Sequence, residues 1–143
     1  MKLQFLVIIL FSSALAAHAQ DRKTDATLYR RMGGYDVIAT ITDAYLKGVR
    51  GDPSFGRFAG RGADSLRRAR QFLKDQFCAM AGGPCVYVGR DMKTVHGGLG
   101  ITPAEWATSM RHLAAALDAI PVKAKERAEF LAMVDALKGD FVE

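Results

Sequence analysis

One stretch of the sequence carries most of the structural information, Gly89-Arg90-Asp91-Met92-Lys93-Thr94-Val95-His96-Gly97-Gly98-Leu99-Gly100-Ile101-Thr102. Met92, Val95 and Leu99 flank His96 at helical spacing, and glycines follow at once. Thr102-Pro103-Ala104-Glu105 is typical of a helix start, with Thr102 as the N-cap and Glu105 completing a capping box. We therefore expect His96 on a short helix or turn, where it is either a hydrogen-bonded core residue or a ligand.

The composition indicates one globular domain. The chain has 143 residues, of which 50% are hydrophobic and 24% are charged. This is enough apolar material for a single core, and the charge content is that of a folded chain rather than a disordered one.

The first residues have the features of a signal peptide. Lys2 forms a short positive region, Leu3 to Ala17 is almost wholly apolar, and Ala17-His18-Ala19 is a small-x-small cleavage site. The apolar run is shorter than the about 20 residues that a membrane span needs. We expect a signal peptide at residues 1–19 and a periplasmic or secreted domain at residues 20–143, with no stable membrane insertion after cleavage. An uncleaved N-terminal anchor is the alternative.

The charge distribution argues against a nucleic-acid partner. The formal net charge is +5, and loss of Lys2 with the signal peptide lowers it to +4. The basic side chains are not interleaved with aromatic residues, as base stacking would require. We interpret one basic run as a solvated helix face; it consists of Arg67, Arg68, Arg70 and Lys74.

Cys78 and Cys85 are the two cysteines of the chain. In an exported protein such a pair is a natural disulfide, and the turn Gly82-Gly83-Pro84 between them can bring the two ends together. Two buried thiols are the alternative. The sequence has no C-x-x-C-H motif, which excludes covalent attachment of a c-type haem.

Helical periodicity runs through the rest of the chain, and no stretch alternates with period two over the length of a strand. We expect a helical turn at 28–32, long helices at 36–49, 65–81, 102–120 and 123–138, and a short helix carrying His96. Asp64 or Ser65 is expected to cap the second long helix. The predicted fold class is all-α. A flat apolar cofactor would fit between the helix that starts near Ser65 and the segment carrying His96.

Several motifs follow one another along the chain: Leu28-Tyr29-x-x-Met32-Gly33-Gly34, Phe58-Ala59-Gly60, Gly82-Gly83-Pro84, Tyr87-x-Gly89-Arg90-x-Met92-Lys93-x-x-His96 and Gly100-Ile101-Thr102. Together they resemble the truncated haemoglobins, best the group I branch, from about residue 27 to the C-terminus. The resemblance implies a truncated globin, a two-over-two helical sandwich enclosing haem b. It also implies that His96 is the proximal axial ligand of the iron, a role that suits a neutral imidazole.

The resemblance assigns further residues to the haem pocket. Phe58 matches a phenylalanine that packs on the haem face, and Tyr87 and Met92 match positions near the haem edge. Arg90 or Lys93 pairs with a propionate, unless both are simply solvated.

The distal side departs from the family pattern. Group I members commonly have Phe-Tyr in the first long helix, with the tyrosine donating to the oxygen ligand, whereas the matching pair here is Tyr45-Leu46. On the facing helix the ligand-facing positions fall on Ala69 and Leu73. The segment 60–82 is longer than in typical members, so the register stays open. The alternatives are Gln71 and Phe72, with Gln76 one turn further on.

This distal pocket has consequences for gas binding. A pocket of Leu46, Ala69 and Leu73 lacks a hydrogen-bond donor, so it should release oxygen faster and discriminate less against carbon monoxide. If Tyr45 or Gln76 reaches the ligand, the opposite holds. His112 is expected at the surface or on the flank of its helix, so we expect no second histidine ligand.

The resemblance implies a haem protein that binds diatomic gases (oxygen, carbon monoxide, nitric oxide), and the signal-peptide features predict that it does so outside the cytoplasm. The alternative is an enzyme using the same haem, a nitric oxide dioxygenase or weak peroxidase, which would need an unidentified reductase as partner. A third hypothesis is a helical interaction module without haem, which the intact Met92-Lys93-x-x-His96 element disfavours. Zinc-site spacings and phosphate-binding glycine loops do not occur in the sequence.

Overall fold

The computed structural model describes residues 26–58 and 62–143. The predicted signal peptide lies outside these ranges, as do residues 59–61. The described part contains seven α-helices and one 3₁₀ helix, and its β-structure is limited to an isolated bridge between Ile101 and Val142. The helices are α1 (Leu28–Met32), α2 (Tyr35–Gly51), the 3₁₀ helix (Pro53–Phe58), α3 (Ala63–Met80), α4 (Met92–His96), α5 (Pro103–Asp118), α6 (Ala124–Asp135) and α7 (Lys138–Phe141). The predicted all-α class is confirmed. None of these helices is long and apolar enough to cross a membrane.

The capping box at the start of α5 forms as predicted. The Glu105 amide donates to Thr102 Oγ1 at 3.2 Å, and the Thr102 amide donates to Glu105 Oε2 at 2.8 Å. Pro103 occupies the first turn, where its missing N–H costs no hydrogen bond. These bonds fix the point at which the chain leaves the glycine-rich loop after His96.

Two predicted helix boundaries are wrong. Helix α3 begins at Ala63 with Gly62 as its N-cap, so Asp64 lies in the first turn and caps nothing. A carboxylate in that turn still stabilises the helix, because it interacts favourably with the positive end of the helix dipole. The last long helix is divided, because α6 ends at Asp135 and α7 begins at Lys138.

The core lies where two helix pairs meet. Helix α2 packs against α3 and α5, and α6 packs against α5, which is the two-over-two arrangement. The Phe77 ring of α3 meets the Phe130 ring of α6 edge-on, with centroids 5.2 Å apart. The largest fully buried apolar side chains are Phe130, Ile38, Ile41, Leu113 and Leu117. They come from α2, α5 and α6, so the apolar stripes predicted from periodicity do face one another.

The predicted disulfide between Cys78 and Cys85 is confirmed. Cys78 is fully buried near the end of α3, and Gly82 turns the chain there with a φ of +78°. Cys85 begins the loop that leads to α4. The bond therefore ties the end of α3 to the loop that precedes His96.

Candidate functional site

A cavity of about 560 Å³ lies between α3 and α4 and is closed by residues of α2, α5, α6 and α7. Its volume is in the range of about 300–1,000 Å³ usual for small-molecule and cofactor sites. Helix α3 contributes a stripe at helical spacing, consisting of Ser65, Arg68, Ala69, Phe72, Leu73, Gln76 and Phe77. The cavity is where the sequence predicts a flat cofactor.

Seven of the nine predicted site residues line this cavity: His96, Tyr45, Leu46, Ala69, Leu73, Tyr87 and Met92. Phe58 and Lys93 are not among its lining residues. The Phe58 ring instead lies beside Phe55, with centroids 6.4 Å apart, and under the Arg57 guanidinium at 4.2 Å. Lys93 is exposed, because it is the residue after Met92 on a short helix and so faces away from the buried side.

A backbone hydrogen bond orients the His96 ring. Its Nδ1 lies 2.9 Å from the backbone oxygen of Met92. A carbonyl oxygen only accepts, so Nδ1 carries a proton, and in the neutral form of the ring the lone pair lies on Nε2. The imidazole also stacks on Phe141, with ring centroids 3.8 Å apart and planes 27° apart. This is the arrangement of a metal-ligating histidine whose second ring nitrogen is fixed by a backbone acceptor.

The distal candidates on α3 differ in whether their side chains line the cavity. Phe72 and Gln76 line the cavity together with Ala69 and Leu73. Gln71 does not, because its amide donates to the Tyr35 hydroxyl at 3.1 Å and to Asp75 at 2.9 Å. Gln76 is 9% exposed, and its side chain forms no hydrogen bond with the described residues. Among the four distal candidates of α3 that line the cavity (Ala69, Phe72, Leu73 and Gln76), Gln76 is therefore the one with a polar side chain.

Tyr45 is paired inside the cavity wall. Its hydroxyl lies 2.6 Å from Ser109 Oγ on α5, and both residues line the cavity. Burial raises the pKa of Tyr45, and the Ser109 hydrogen bond only partly offsets this. Tyr45 therefore stays protonated and keeps a hydrogen to donate at neutral pH.

His112 lies apart from the cavity, on the flank of α5 where the sequence predicts it. Its Nε2 is 2.8 Å from Asp52 Oδ2. The hydrogen bond from His112, together with those from Ser54, lowers the pKa of Asp52 to about 2. The ring also lies directly over Gly48, where an added Cβ would come within 2.7 Å of Nδ1. His112 thus serves the packing of α2 on α5.

Sequence reasoning missed several wall residues. Arg68 was interpreted only as part of a solvated face, and Ser109 was not considered. Trp106 and Phe141 also line the cavity, although large apolar residues at helical spacing are typical of core positions. Their position on apolar stripes was the available signal, but a stripe does not distinguish a core residue from a cofactor contact.

A second groove, of about 780 Å³, lies between α2 and α3. It shares Leu46 and Ala69 with the first cavity, and its rim carries cations such as Lys47, Arg50 and Arg67. No histidine is among its lining residues. Despite its larger volume it offers no imidazole to an iron, so the cavity beside His96 is the cofactor site we consider.

The residues of this cavity fit an apolar planar group. Within the described ranges the large hydrophobic side chains left exposed are Phe72, Val86, Val88 and Val95. Three of them, all but Val86, line the cavity. Exposed apolar surface gathered at one cavity marks a ligand site, because a flat hydrophobic ligand seated there would cover it. With one imidazole in the wall, the donor set is that of a haem protein.

Comparison with known proteins agrees with this fold. The bacterial-like globin family matches residues 27–143. The chain therefore belongs to the bacterial-like globin family, and within it to the truncated haemoglobins, whose cofactor is haem iron.

Two relatives are similar to the chain in sequence, and two solved structures are similar to it in fold. The group 1 truncated haemoglobin GlbN of Mycolicibacterium paratuberculosis is 32% identical over 121 residues, covering 83% of this chain and 87% of that protein. The group 1 truncated haemoglobin LI410 of Chlamydomonas moewusii is 28% identical over 123 residues, covering 84% and 70%. The Fe(III) form of Tetrahymena pyriformis truncated haemoglobin superposes with a TM-score of 0.75 at 20% identity, covering 82% of this chain and 98% of that one. The haemoglobin of Chloroflexus aurantiacus gives 0.73 at 21%, covering 83% and 100%.

Proposed function

We propose that the chain binds diatomic gases (oxygen, carbon monoxide and nitric oxide) at a haem iron held by His96. The observation that carries this proposal is the hydrogen bond from His96 Nδ1 to Met92 O, which places the lone pair of the neutral ring on Nε2, in a side chain lining the cavity. The bound haem supplies the iron to which the gas binds. The protein's part is to orient the imidazole, exclude water and contact the ligand.

Arg68 and Arg90 would hold the haem carboxylates. Both line the cavity, and neither forms an ion pair with any described residue. A guanidinium gains a charge-assisted, bidentate hydrogen bond from a carboxylate. Arg90 was one of the two propionate partners implied by the sequence resemblance. Arg68 replaces Lys93 in this role, since Lys93 does not line the cavity.

Gln76 is our candidate for the distal hydrogen-bond donor. Its buried amide lines the cavity and has no partner among the described residues, whereas the Tyr45 hydroxyl is already bonded to Ser109. A donor that contacts the gas ligand stabilises the bound state by roughly 1–3 kcal/mol, which slows release of the ligand about tenfold or more. The chain thus replaces the missing tyrosine at position 46 with an amide from the facing helix.

We also propose that the protein works in the periplasm or is secreted. The signal-peptide features of residues 1–19 motivate this location, and the disulfide supports it because such bonds persist in oxidising compartments. The mass of the protein recovered from an export-competent host tests it. A mature chain beginning at Gln20 is expected, and a full-length chain beginning at Met1 would contradict the proposal.

The ligand role of His96 is tested by absorption spectroscopy. Wild type is expected to show a strong Soret band that shifts when carbon monoxide is added to the ferrous form. His96→Gly should lose the histidine-ligated spectrum and regain it with added imidazole, because the free ring can enter the space left. The control is His112→Ala, outside the cavity, which should keep the wild-type spectrum. An unchanged spectrum in His96→Gly would rule out ligation by this residue.

The distal role is tested by stopped-flow measurement of oxygen dissociation. Gln76→Ala is expected to release oxygen about tenfold faster. Gln71→Ala is the matched control, since Gln71 is on the same helix but bonded to Tyr35 outside the cavity. If Gln76→Ala matches wild type and Tyr45→Phe is the fast variant, the donor is the tyrosine. If both match wild type, the pocket works without a donor from these side chains.

A further inference from the structure

The loop after His96 presents two backbone amides to one carboxylate. Gly98 and Gly100 have φ values of +75° and +58°, a left-handed conformation that glycine adopts without strain. Their N–H groups donate to Glu143 Oε1 at 2.6 Å and to Glu143 Oε2 at 2.7 Å. Alternating backbone of this kind forms a concave anion-binding site. The two amides lower the pKa of Glu143, so the group is ionised at neutral pH.

The main chain of the same segment reinforces this contact. The Glu143 amide donates to the Ile101 carbonyl at 3.0 Å, and Ile101 and Val142 form a parallel bridge. Residues 97–101 are therefore joined to residues 142–143 through both backbone and side chain. This is the one β-type pairing in the described part of the chain.

Arg57 binds the carbonyl groups of the same loop. Its guanidinium donates to Leu99 O at 2.6 Å and to Gly100 O at 2.9 Å. Glu105 accepts from this guanidinium at 2.7 Å and so fixes it against the start of α5. The amides of the loop are thus bonded to Glu143 and its carbonyls to Arg57, which leaves the loop little freedom to move.

Phe141 carries the contact to the imidazole itself. Its ring stacks on His96 at a centroid distance of 3.8 Å and packs on Trp106 at 4.9 Å. The Met92 hydrogen bond fixes which nitrogen of His96 carries the proton, and the stacked ring restricts rotation of the imidazole plane. Residues 141–143 therefore act on the ligand side chain and on the loop that follows it.

We propose that residues 141–143 are a positioning segment for the iron ligand, in which Glu143 holds the loop at 97–101 and Phe141 sets the plane of the His96 ring. The inference rests on the proposed ligation by His96. Loss of either contact lets the imidazole reorient, which changes its bond to the iron and speeds haem loss. Neither residue touches the gas ligand or donates to the iron.

The test uses the haem-loaded protein with two readouts, resonance Raman of the iron–histidine stretch in the ferrous form and the rate of haem transfer to excess apomyoglobin. Glu143→Gln is expected to shift or broaden the band and speed transfer about threefold. Phe141→Leu keeps an apolar side chain without the flat ring, and should broaden the band and speed transfer about fivefold. Asp140→Asn, a neighbouring exposed carboxylate with no hydrogen-bond partner among the described residues, is the control and should match wild type.

The outcomes separate this inference from the function it rests on. Absence of an iron–histidine band in wild type would overturn ligation by His96, and the positioning role with it. A band present in wild type and unchanged in both variants would overturn the positioning role alone, even if the unfolding midpoint fell.

Amide hydrogen exchange on the wild-type protein needs no variant to fold. Gly98 and Gly100 should exchange at least about tenfold slower than an unstructured chain, because their N–H groups are bonded to Glu143. Exchange of both amides at the unstructured rate would overturn the contact on which the proposal depends.

Discussion

The disulfide between Cys78 and Cys85 gives a prediction whose size follows from the fold. The bond closes a loop with a sequence separation of 7. On the chain-entropy relation, cross-linking a loop of this length removes enough freedom from the unfolded chain to stabilise the fold by about 2.4 kcal/mol. Cys78 is fully buried, and a reduced thiol still fills its site. Most of the change on reduction should therefore come from the unfolded state.

Urea unfolding followed by far-ultraviolet circular dichroism measures this contribution. Protein refolded in reductant is expected to unfold about 1–2 M lower in urea than oxidised protein, for slopes usual in small domains. In thermal unfolding the expected loss is about 10 °C for a domain of this size. The native helical signal should be unchanged, because α3 ends next to a glycine turn at Gly82 that does not depend on the bond.

A matched control isolates the bond from the reductant. The double variant Cys78→Ala/Cys85→Ala should unfold at the same urea concentration with and without reductant. Coincident midpoints for oxidised and reduced wild type would refute the loop argument. Alkylation of both cysteines in unfolded protein prepared without reductant would refute the bond itself.

Three further predictions concern stability. The His112 hydrogen bond holds the pKa of Asp52 at about 2, below its ordinary 3.8. The stability that results is present above pH 4 and is lost as the pH falls towards 2. In urea titrations Asp52→Asn should therefore lose less stability than wild type between pH 4 and pH 2, and equal losses would contradict the pairing. Phe130→Ala removes a fully buried ring and should lower the free energy of unfolding by about 3–5 kcal/mol, a loss below about 1 kcal/mol being incompatible with the packing seen. Thr102→Ala should cost about 1 kcal/mol through loss of the N-cap, whereas Thr102→Ser should be close to neutral by the same measurement.

Local sequence patterns predict much of this fold because the relevant interactions are local. The capping box at Thr102 and the turn after α3 use residues within three or four positions of each other, and the structure forms both. The disulfide is predictable for the same reason, since its cysteines flank a glycine turn. The start of α3 is not: Asp64 and Ser65 are both good caps, and only the path of the chain selects Gly62.

The candidate site shows the same division. His96, Met92 and the stripe through Leu73 fall on the cavity because helical spacing places them on one face. Phe58 is not among the lining residues; its ring packs on Phe55 and the Arg57 guanidinium within the same short helix, whereas the resemblance assigned it to the haem face by its position in a motif. The contact of Glu143 with Gly98 joins residues 45 positions apart, and no motif in either segment predicts it. Local sequence patterns do not predict long-range pairings of this kind.

Trp106 is the chain's one tryptophan, and it lies in the wall of the cavity beside His96. Its indole N–H donates to Asp135 at 2.9 Å, which fixes the ring against α6. Haem absorbs where indole emits, so a haem seated in this cavity should quench the fluorescence almost completely by energy transfer. The fluorescence of Trp106 therefore reports how much of the protein holds haem, so haem loading and haem loss can be followed in real time without any added label.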